Sequence, residues 1–346
     1  MSALGRDSLS RGTNGKRSLA RTASQWIGWG ITIACLVYIV RQIDPAELRT
    51  ALSHFSWPYL GIGLFSLALG YTFRIIRWAV MLRAAGATVS SKRCAAPFLA
   101  SIAMNNLLPL RVGDVVRALV FPQALGVSKT LATGSLVMER LVDLLTLLVF
   151  LGLGSLMGVQ GDLPSWLQNG AVLMAFAATT ALLLLFLWSN WLSERIRSYV
   201  IRVRHAGIVK VLQASADLLF SFSCMSRPSA LFALFSLSLL VWAGELGLFW
   251  AVLRGFDLDV SLPIAAVVMS IATLSTLAPS SPGYVGPFHL AAFFAIGLLG
   301  GEPAQAVSCA IVLHLVLWGP TTLSGVIAIL LSPTLFNVVR AGRKAA

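Results

Sequence analysis

Apolar runs long enough to form membrane-spanning helices recur along the whole chain. A helix rises about 1.5 Å per residue and has to cross about 30 Å of hydrocarbon. Hydrophobic residues make up 57% of the 346 residues and charged residues 11%, which excludes a water-soluble domain. The sequence therefore predicts an all-α, polytopic integral membrane protein with about six full spans. The clearest lie at about 25–40, 57–79, 128–158, 169–189, 229–253 and 303–331.

Basic residues are distributed between the runs in a way that predicts topology. Lys and Arg concentrate in the tail 1–24, after the second run, in 190–228 and in the tail 336–346. The positive-inside rule then places these stretches and both termini in the cytoplasm. The segment 195–210 alternates basic and apolar residues, so we expect it to lie along the anionic inner leaflet. This distribution favours a membrane surface, and we expect no nucleic-acid partner.

One transmembrane domain over about 25–335 accounts for nearly the whole chain, since the connections are too short to hold a globular domain. The basic tail before the first run resembles a secretory signal, but no small-residue cleavage site follows, so we expect an uncleaved span. The cysteines are scattered, which predicts neither a disulfide framework nor a metal site, and we expect no cofactor. They are Cys35, Cys94, Cys224 and Cys309.

Two regions do not fit single spans. Residues 94–121 begin and end beside basic residues and are interrupted by Asn105, Asn106 and Pro109. Residues 262–300 contain two short apolar halves around a Pro/Gly-rich break and are predicted to enter from the opposite side. Broken helices occur at membrane depth where protein or a water-filled cavity satisfies the backbone. The sequence therefore predicts two oppositely facing re-entrant helix pairs, an arrangement typical of an inverted repeat around a substrate site.

The first break carries residues suited to anion binding. Pro109 ends one half-helix, Gly113 permits a tight turn, and Asp114 is expected to cap the next helix. Arg111 and Arg117 flank that helix start, where free N–H groups and guanidinium forks both suit a phosphate. The alternative is that Asp114 and Arg117 form a local ion pair that seals the loop.

A charged helix face follows in the next span. Glu139 and Asp143 are four residues apart, hence on one face, with Arg140 beside them. Glu139 lies about 16 Å into this predicted helix, close to the middle of the membrane. The expected partners are Arg111 and Arg117. Such a network either fixes the fold or presents a polar cavity to a headgroup, because removing one member of a buried pair also damages the site.

The second break offers hydroxyl groups and exposed backbone amides. Ser280, Ser281, Gly283, Gly286 and His289 are candidates for contact with a headgroup. The alternative is a Pro/Gly turn in which His289 makes only a local hydrogen bond.

Four further polar residues stand in apolar surroundings. Glu245 and His314 could relay protons, pair with each other or join the charged cluster. Arg74 and Arg77, near the end of the second run, are expected to extend toward the headgroups.

The order of these motifs resembles the lysylphosphatidylglycerol synthase transmembrane (flippase-like) family, which includes the N-terminal membrane half of the bacterial multiple peptide resistance factor. The resemblance covers about 25–335 and implies a protein of a prokaryotic plasma membrane that moves a lipid between leaflets. The motifs that carry it are Pro109-x-Arg111-x-Gly113-Asp114-x-x-Arg117, Glu139-Arg140-x-x-Asp143 and Pro282-Gly283-x-x-Gly286.

Two departures bear on the substrate. The family pattern more often reads Pro-Gly-Gly-x-Gly-x-x-Glu, whereas this chain has Tyr284 and His289 at the second Gly and the Glu. This difference implies a different substrate or substrate charge. No soluble aminoacyl-transferase domain follows residue 331, so lysyl-lipid synthesis is not expected of this chain.

Three functional classes remain open. The first is a translocase for a phospholipid, an aminoacyl-lipid or an isoprenoid-linked lipid, without ATP hydrolysis because no Gly-rich phosphate loop is present. The second is a membrane-embedded transferase or hydrolase that uses Glu139, Asp143 or His289 as a base. The third is an accessory subunit for a separate lipid-modifying transferase. The expected partners are membrane lipids with anionic or lipid-linked headgroups.

Overall fold

A computed structural model describes residues 30–39, 41, 45–158, 165–278, 280–332 and 335. The predicted tails 1–24 and 336–346 lie outside the described residues, as does most of the connection 159–168. The described residues form α1 Gly30–Ile39, α2 Pro45–Ser53, α3 Trp57–Ala84, α4 Ser91–Leu107, α5 Val112–Leu119, α6 Phe121–Leu125, α7 Lys129–Gly158, α8 Ser165–Val200, α9 Ala206–Met225, α10 Pro228–Gly255, α11 Leu262–Ser275, α12 Pro287–Gly297 and α13 Pro303–Leu331.

The all-α membrane architecture predicted from the sequence is confirmed. Five described segments are long and apolar enough to cross a membrane. The helix α7 also has 30 residues, and it carries the predicted charged face. The five segments are Trp57–Ala84, Asn169–Val200, Ala206–Met225, Pro228–Gly255 and Pro303–Leu331.

The helices α3 and α10 form a close antiparallel pair. The Ser56 amide donates to the Gly255 carbonyl, at 2.8 Å, which places the start of α3 beside the end of α10. Farther along, Gly70 and Gly244 allow the two backbones to approach closely. This contact fixes the relative height of the side chains that α3 and α10 present to the interior.

The first re-entrant pair consists of α4, a turn of 3₁₀-helix at Pro109–Arg111, and α5. The helix α5 packs back against α4, and this contact requires a residue without a side chain at position 113. A Cβ on Gly113 would overlap the Ser101 carbonyl oxygen. The sequence analysis predicted that Gly113 forms part of the tight turn, and this prediction is wrong. Leu110 and Arg111 make the turn, with positive φ angles of 61° and 52°.

The second re-entrant pair consists of α11, a turn of 3₁₀-helix at Pro282–Tyr284, and α12. The long helix α7 shows that the two pairs open toward opposite sides. Its first residues follow α6, where the Ala124 carbonyl accepts a hydrogen bond from Arg93 of α4. Its last turns pack Gly154 against Pro263 at the start of α11. The sequence predicted this opposed arrangement of the two pairs. An internal symmetry that relates one pair to the other stays a prediction.

The stretch 190–228 is more ordered than the sequence suggested. The helix α8 continues to Val200 instead of ending near residue 189, and α9 follows after a short turn. Ser193 of α8 donates to the Ala216 carbonyl of α9, and Ser221 of α9 packs against Gly134 near the start of α7. The location of this hairpin at the inner leaflet stays a prediction.

Hydrophobic packing divides into two main clusters. Along α3, Leu67 belongs to a cluster built mainly from α10 to α13. Trp78 belongs to a second cluster, which includes Met138 and Val142 of α7. Arg74 lies between these two positions on α3. Arg74 is therefore enclosed on both sides by apolar packing.

Candidate functional site

Arginines and carboxylates form four ion pairs, and among their eight side chains only that of Arg140, which is 36% exposed, is more than 12% exposed. The helix α7 contributes three of the eight members, and the others come from α3, α5 and α10. Each pair joins two different helices, so together they tie the re-entrant pair to three long helices. The pairs are Arg74–Glu245 at 2.6 Å, Arg77–Asp143 at 2.7 Å, Arg117–Glu139 at 2.8 Å and Arg140–Asp114 at 2.8 Å.

The pair of Arg77 and Asp143 is the most enclosed link between α3 and α7. The Arg77 side chain has no exposed surface and also donates to Ser238, at 2.9 Å. Asp143 accepts a further hydrogen bond from the Trp242 indole N–H, at 3.1 Å. The prediction that Arg74 and Arg77 extend toward the headgroups is wrong. The helix α3 continues to Ala84, so these arginines lie deeper than expected and pair inward.

The predicted pairing of Arg117 with the acidic face of α7 is confirmed. Its guanidinium lies 2.8 Å from Glu139, and both side chains are almost fully buried. The local pair of Arg117 with Asp114 is longer, at 3.9 Å. Asp114 instead accepts two hydrogen bonds from Arg140, at 2.8 and 2.9 Å. The ion pairs between helices therefore dominate over the pair within the loop.

Asn105 replaces Asp114 in the predicted capping role. Arg111 occupies the position before α5, and Asp114 is the third helical residue, so its side chain does not cap the helix. The Asn105 side-chain oxygen accepts from the Asp114 amide, at 3.0 Å, and the Asn105 amide group donates back to the carboxylate, at 2.9 Å. The capping prediction is thus wrong, because α4 supplies the acceptor from across the hairpin.

The tips of the two re-entrant pairs meet at Arg111. Its guanidinium donates to the Thr276 carbonyl, at 3.1 Å, and lies 5.5 Å from the centre of the Tyr284 ring. The predicted pairing of Arg111 with Asp143 is wrong, because Arg77 occupies that carboxylate. Among the described residues, no carboxylate lies within 4.0 Å of Arg111. Arg111 is therefore the cation that the ion-pair network leaves unmatched.

The helix α1 holds the second loop in place through Thr32. The Ser281 amide donates to the Thr32 hydroxyl, at 3.1 Å, and this hydroxyl donates to the Val285 carbonyl, at 2.9 Å. Gly286 has φ of 98°, and a Cβ there would lie 2.9 Å from the Thr32 Cα. A side chain at position 286 is therefore excluded by both the backbone conformation and the neighbouring helix.

Two histidines contact the backbone of the same loop. The Gly286 amide donates to His289 Nδ1, at 3.4 Å, which is the local hydrogen bond that the sequence left as an alternative. His314 Nε2 lies 2.7 Å from the Gly283 carbonyl oxygen, and the two imidazole rings are 4.6 Å apart. Glu245 pairs with Arg74 and thus joins the charged cluster. No group of three or more metal-ligating side chains is found in the described part of the chain.

A cavity of about 390 Å³ lies between the ion-pair network and the meeting tips. Of the predicted site residues, Arg111, Arg140, Asp143 and Gly283 line it. A second space of about 300 Å³ contains Ser280 and Ser281 and continues past Arg111. The lining residues common to both spaces are Asn105, Arg111, Thr276, Leu277, Gly283 and Tyr284.

The remaining predicted site residues support the cavity without lining it. Asp114, Arg117 and Glu139 lie behind the wall, and Gly286 and His289 position the second loop. Sequence reasoning missed several lining residues, because aromatic and hydroxyl side chains inside apolar spans carry no distinctive pattern. The missed residues include Tyr71, Trp242, Trp318 and Thr321.

Known proteins share the regions described above. The chain is 26% identical over 326 residues to the glycosyltransferase AglD of Haloferax volcanii, covering 86% of this chain and 52% of that protein. It therefore spans about half the length of that relative. It is also 22% identical over 318 residues to a UPF0104 membrane protein of Methanothermobacter thermautotrophicus, covering 86% and 93% respectively. No solved structure matches the chain.

A family model for the lysylphosphatidylglycerol synthase TM region matches residues 25–325. The match includes both re-entrant pairs, the charged face of α7 and the cavity between them. The chain is thus a multi-pass membrane protein and belongs to the lysylphosphatidylglycerol synthase TM region family.

Proposed function

We propose that this protein is a lipid translocase that moves the headgroup of a lipid through the cavity while the acyl chains stay in the bilayer. The observation that carries the proposal is the meeting of two oppositely facing re-entrant tips at a polar cavity beside the unmatched Arg111. Each tip ends inside the protein, so the cavity has one broken helix leading to it from either side.

Physical considerations support this use of the cavity. A charged headgroup in hydrocarbon carries a cost of at least a few kcal/mol, as a charged side chain does. The lining of Arg111, Arg140 and Asp143 offers hydrogen bonds and charge that replace the water around such a group. Broken helices at this depth also match the position of substrate sites in transporters built from opposed repeats. Transport thus explains why the fold keeps polar groups in a costly place.

The family and its members support a lipid substrate. The family is named for the membrane region of a lipid synthase, and one relative is named a glycosyltransferase. We therefore propose a phospholipid, an aminoacyl-lipid or an isoprenoid-linked lipid as the transported molecule, in the plasma membrane of a prokaryote.

Reconstitution of the full chain into vesicles tests this proposal. Acyl-labelled lipids are placed in one leaflet, and their arrival in the other leaflet is followed by quenching with an impermeant reductant. We expect movement of at least one lipid with unchanged mass, and a loss of at least ten-fold in its rate for Arg111→Ala. The control is Arg197→Ala, which removes an arginine from an exposed pair with Asp217 far from the cavity.

Other outcomes separate the alternative functions. A change in the mass of the lipid would favour a transferase or hydrolase and would contradict a pure translocase. Absence of both movement and conversion, over phospholipids and isoprenoid-linked lipids, would favour an accessory membrane subunit.

One observation gives the accessory role a specific form. The chain matches about half of a protein named a glycosyltransferase, so the partner in this role would be a separate glycosyltransferase. Co-purification of this chain with such an enzyme, together with lipid glycosylation that requires both proteins, would support that second function.

A further inference from the structure

We propose that the cavity binds a group with one negative charge, a monoanionic phosphodiester, on Arg111, and that the membrane potential therefore drives its passage. This inference rests on the proposed translocase function, and it specifies the substrate class and the driving force.

The charges around the cavity do not balance. Five arginines and four carboxylates line the cavity or lie behind its wall in the described part of the protein. Four arginines have a carboxylate at 2.8 Å or less, and each of these carboxylates has a different arginine as its nearest partner. Arg111 is the fifth arginine, and its one polar contact is the Thr276 carbonyl. The interior therefore carries one positive charge in excess, and Arg111 is its location.

An unmatched cation at this depth favours an anionic ligand. A carbonyl oxygen supplies only a partial charge and occupies one of the five N–H donors of a guanidinium. Arg111 lines both spaces of the cavity, where an incoming group can reach it. A guanidinium binds two oxygens of a phosphate or phosphodiester side by side. Arg111 is thus the lining arginine without a carboxylate partner, whereas Arg74 and Arg140 each have one.

The single unmatched positive charge at Arg111 favours some headgroups over others according to their net charge. A phosphodiester with no other charge brings the interior to neutrality. A zwitterionic headgroup leaves one positive charge, and a phosphomonoester with two negative charges leaves one negative charge. Both of those states retain an uncompensated charge in a poorly polarisable interior, which costs free energy. The best ligand is therefore a lipid phosphodiester, from either a glycerophospholipid or an isoprenoid lipid.

Backbone conformation at the tips supports a binding role for Arg111. Leu110, Arg111 and Tyr284 all have positive φ angles, between 52° and 61°, although none is glycine. Such strain persists where the surrounding structure enforces it and is concentrated at ligand sites and switch regions. Here the strained residues come from both tips and face each other across the junction. The fold thus maintains an unfavourable backbone in order to present this guanidinium.

A charge that crosses with the lipid couples transport to voltage. Arg111 belongs to the protein and stays at the tips, so one net negative charge crosses with each lipid. One charge across 100 mV corresponds to about 2.3 kcal/mol, or an equilibrium ratio of about 50 between leaflets. An inside-negative potential therefore drives the lipid toward the outer leaflet.

Proteoliposomes with a potassium diffusion potential test both parts of the inference. The probes are phosphatidylglycerol, phosphatidylcholine and phosphatidic acid with the same labelled acyl chain, and a labelled polyprenyl phosphodiester. We expect one of the two monoanions to move at least ten-fold faster than the other two classes and to accumulate on the positive side. The comparison of phosphatidylglycerol with the polyprenyl lipid identifies the source of the phosphodiester.

Variants separate the charge from the fold. Arg111→Gln is expected to abolish the preference for the monoanion, and Arg111→Lys to restore part of it. Leu277 lines both spaces next to Arg111 and is not assigned a binding role. Leu277→Asp places a carboxylate on the same lining as Arg111 and should remove the preference, whereas Leu277→Asn, of nearly equal size, should keep it.

The results distinguish this inference from the proposed function. Movement of all lipid classes at equal rates, or without response to the potential, would overturn the inference and leave translocation intact. Loss of preference in both Leu277 variants alike would show that charge is not the cause. If no probe moves, the proposed function fails and the inference fails with it.

Discussion

Individual charged residues in this protein have two different tasks. Eight of them form pairs between helices, and burial of such pairs makes each member depend on its partner. Arg111 has no such partner among the described residues and borders both spaces of the cavity. Substitutions in the pairs should therefore act first on stability, and substitutions of Arg111 first on the ligand.

The pair of Arg77 and Asp143 allows a direct test of the stabilising task. Arg77→Met leaves the Asp143 carboxylate without its shortest ion pair, so we expect a loss of about 3–5 kcal/mol of stability. Asp143→Leu should cost a similar amount. The double variant should lose clearly less than the sum, because both buried charges are then removed. Thermal unfolding of the purified protein in detergent measures these differences as shifts in midpoint.

An exposed pair provides the control for that measurement. Arg197 and Asp217 are about half exposed, so Arg197→Met should cost no more than about 1 kcal/mol. Equal effects of Arg197→Met and Arg77→Met would contradict a structural role for the buried pair.

Partners of buried charges were only partly predictable from the sequence. The pairing of Arg117 with Glu139 followed from a re-entrant loop that directly precedes an acidic helix face. The partner of Asp143 did not, because Arg77 is 66 residues away and near the end of an apolar run. Pairing between distant helices depends on their relative height, which the contact of α3 with α10 sets. Sequence patterns therefore locate buried charge more readily than they assign its partner.

At the scale of elements, the hairpin of α4 and α5 depends on the absence of a side chain at position 113. A Cβ there would overlap the Ser101 carbonyl oxygen and crowd the Asn105 side chain. Asn105 holds the Asp114 amide, and α5 carries Arg117, so the position of α5 controls two buried ion pairs.

Gly113→Ala should therefore displace α5 and weaken these pairs. We expect a loss of about 1–3 kcal/mol of stability, as for overpacking in a well-packed core. The matched control is Gly61→Ala on α3, where nothing lies within 4 Å of an added Cβ. That change should be neutral or slightly stabilising, since alanine favours a helix over glycine by about 1 kcal/mol. Unfolding midpoints of the two variants in the same detergent make the comparison, and a smaller effect at Gly113 would refute this packing role.

Hydropathy predicted those helices that coincide with an apolar run of the sequence. The two interrupted regions stood out because Asn105, Asn106 and the Pro/Gly-rich break near Pro282 interrupt otherwise apolar sequence. The extension of α8 to Val200 and the separate helix α9 were missed, because Arg195 and Arg197 resemble a cytoplasmic connection. Both Asn169–Val200 and Ala206–Met225 are apolar enough to cross a membrane, so it was the basic residues, and not hydropathy, that hid these helices.

The whole molecule combines two inward-pointing tips with a long helix, α7, that packs against both re-entrant pairs. The helix α7 links the side on which α4 and α5 open to the side on which α11 and α12 open. This arrangement exposes the segment between α3 and α4 on one side and the segment between α12 and α13 on the other. The opposed exposure of these two segments holds whichever side of the membrane is cytoplasmic. The cytoplasmic side itself is predicted from the distribution of basic residues.

Single cysteines on a cysteine-free background test both statements. Thr88, between α3 and α4, and Glu302, before α13, are exposed. In intact cells, an impermeant maleimide should label Glu302→Cys and leave Thr88→Cys unlabelled until the membrane is opened. The basic residues near Thr88, which include Arg83, Lys92 and Arg93, are the reason for placing that side in the cytoplasm. Labelling of both positions from one side would contradict the opposed re-entrant pairs. The reverse pattern would contradict only the predicted orientation of the protein. A reversed orientation would also reverse the leaflet that a voltage-driven anion reaches.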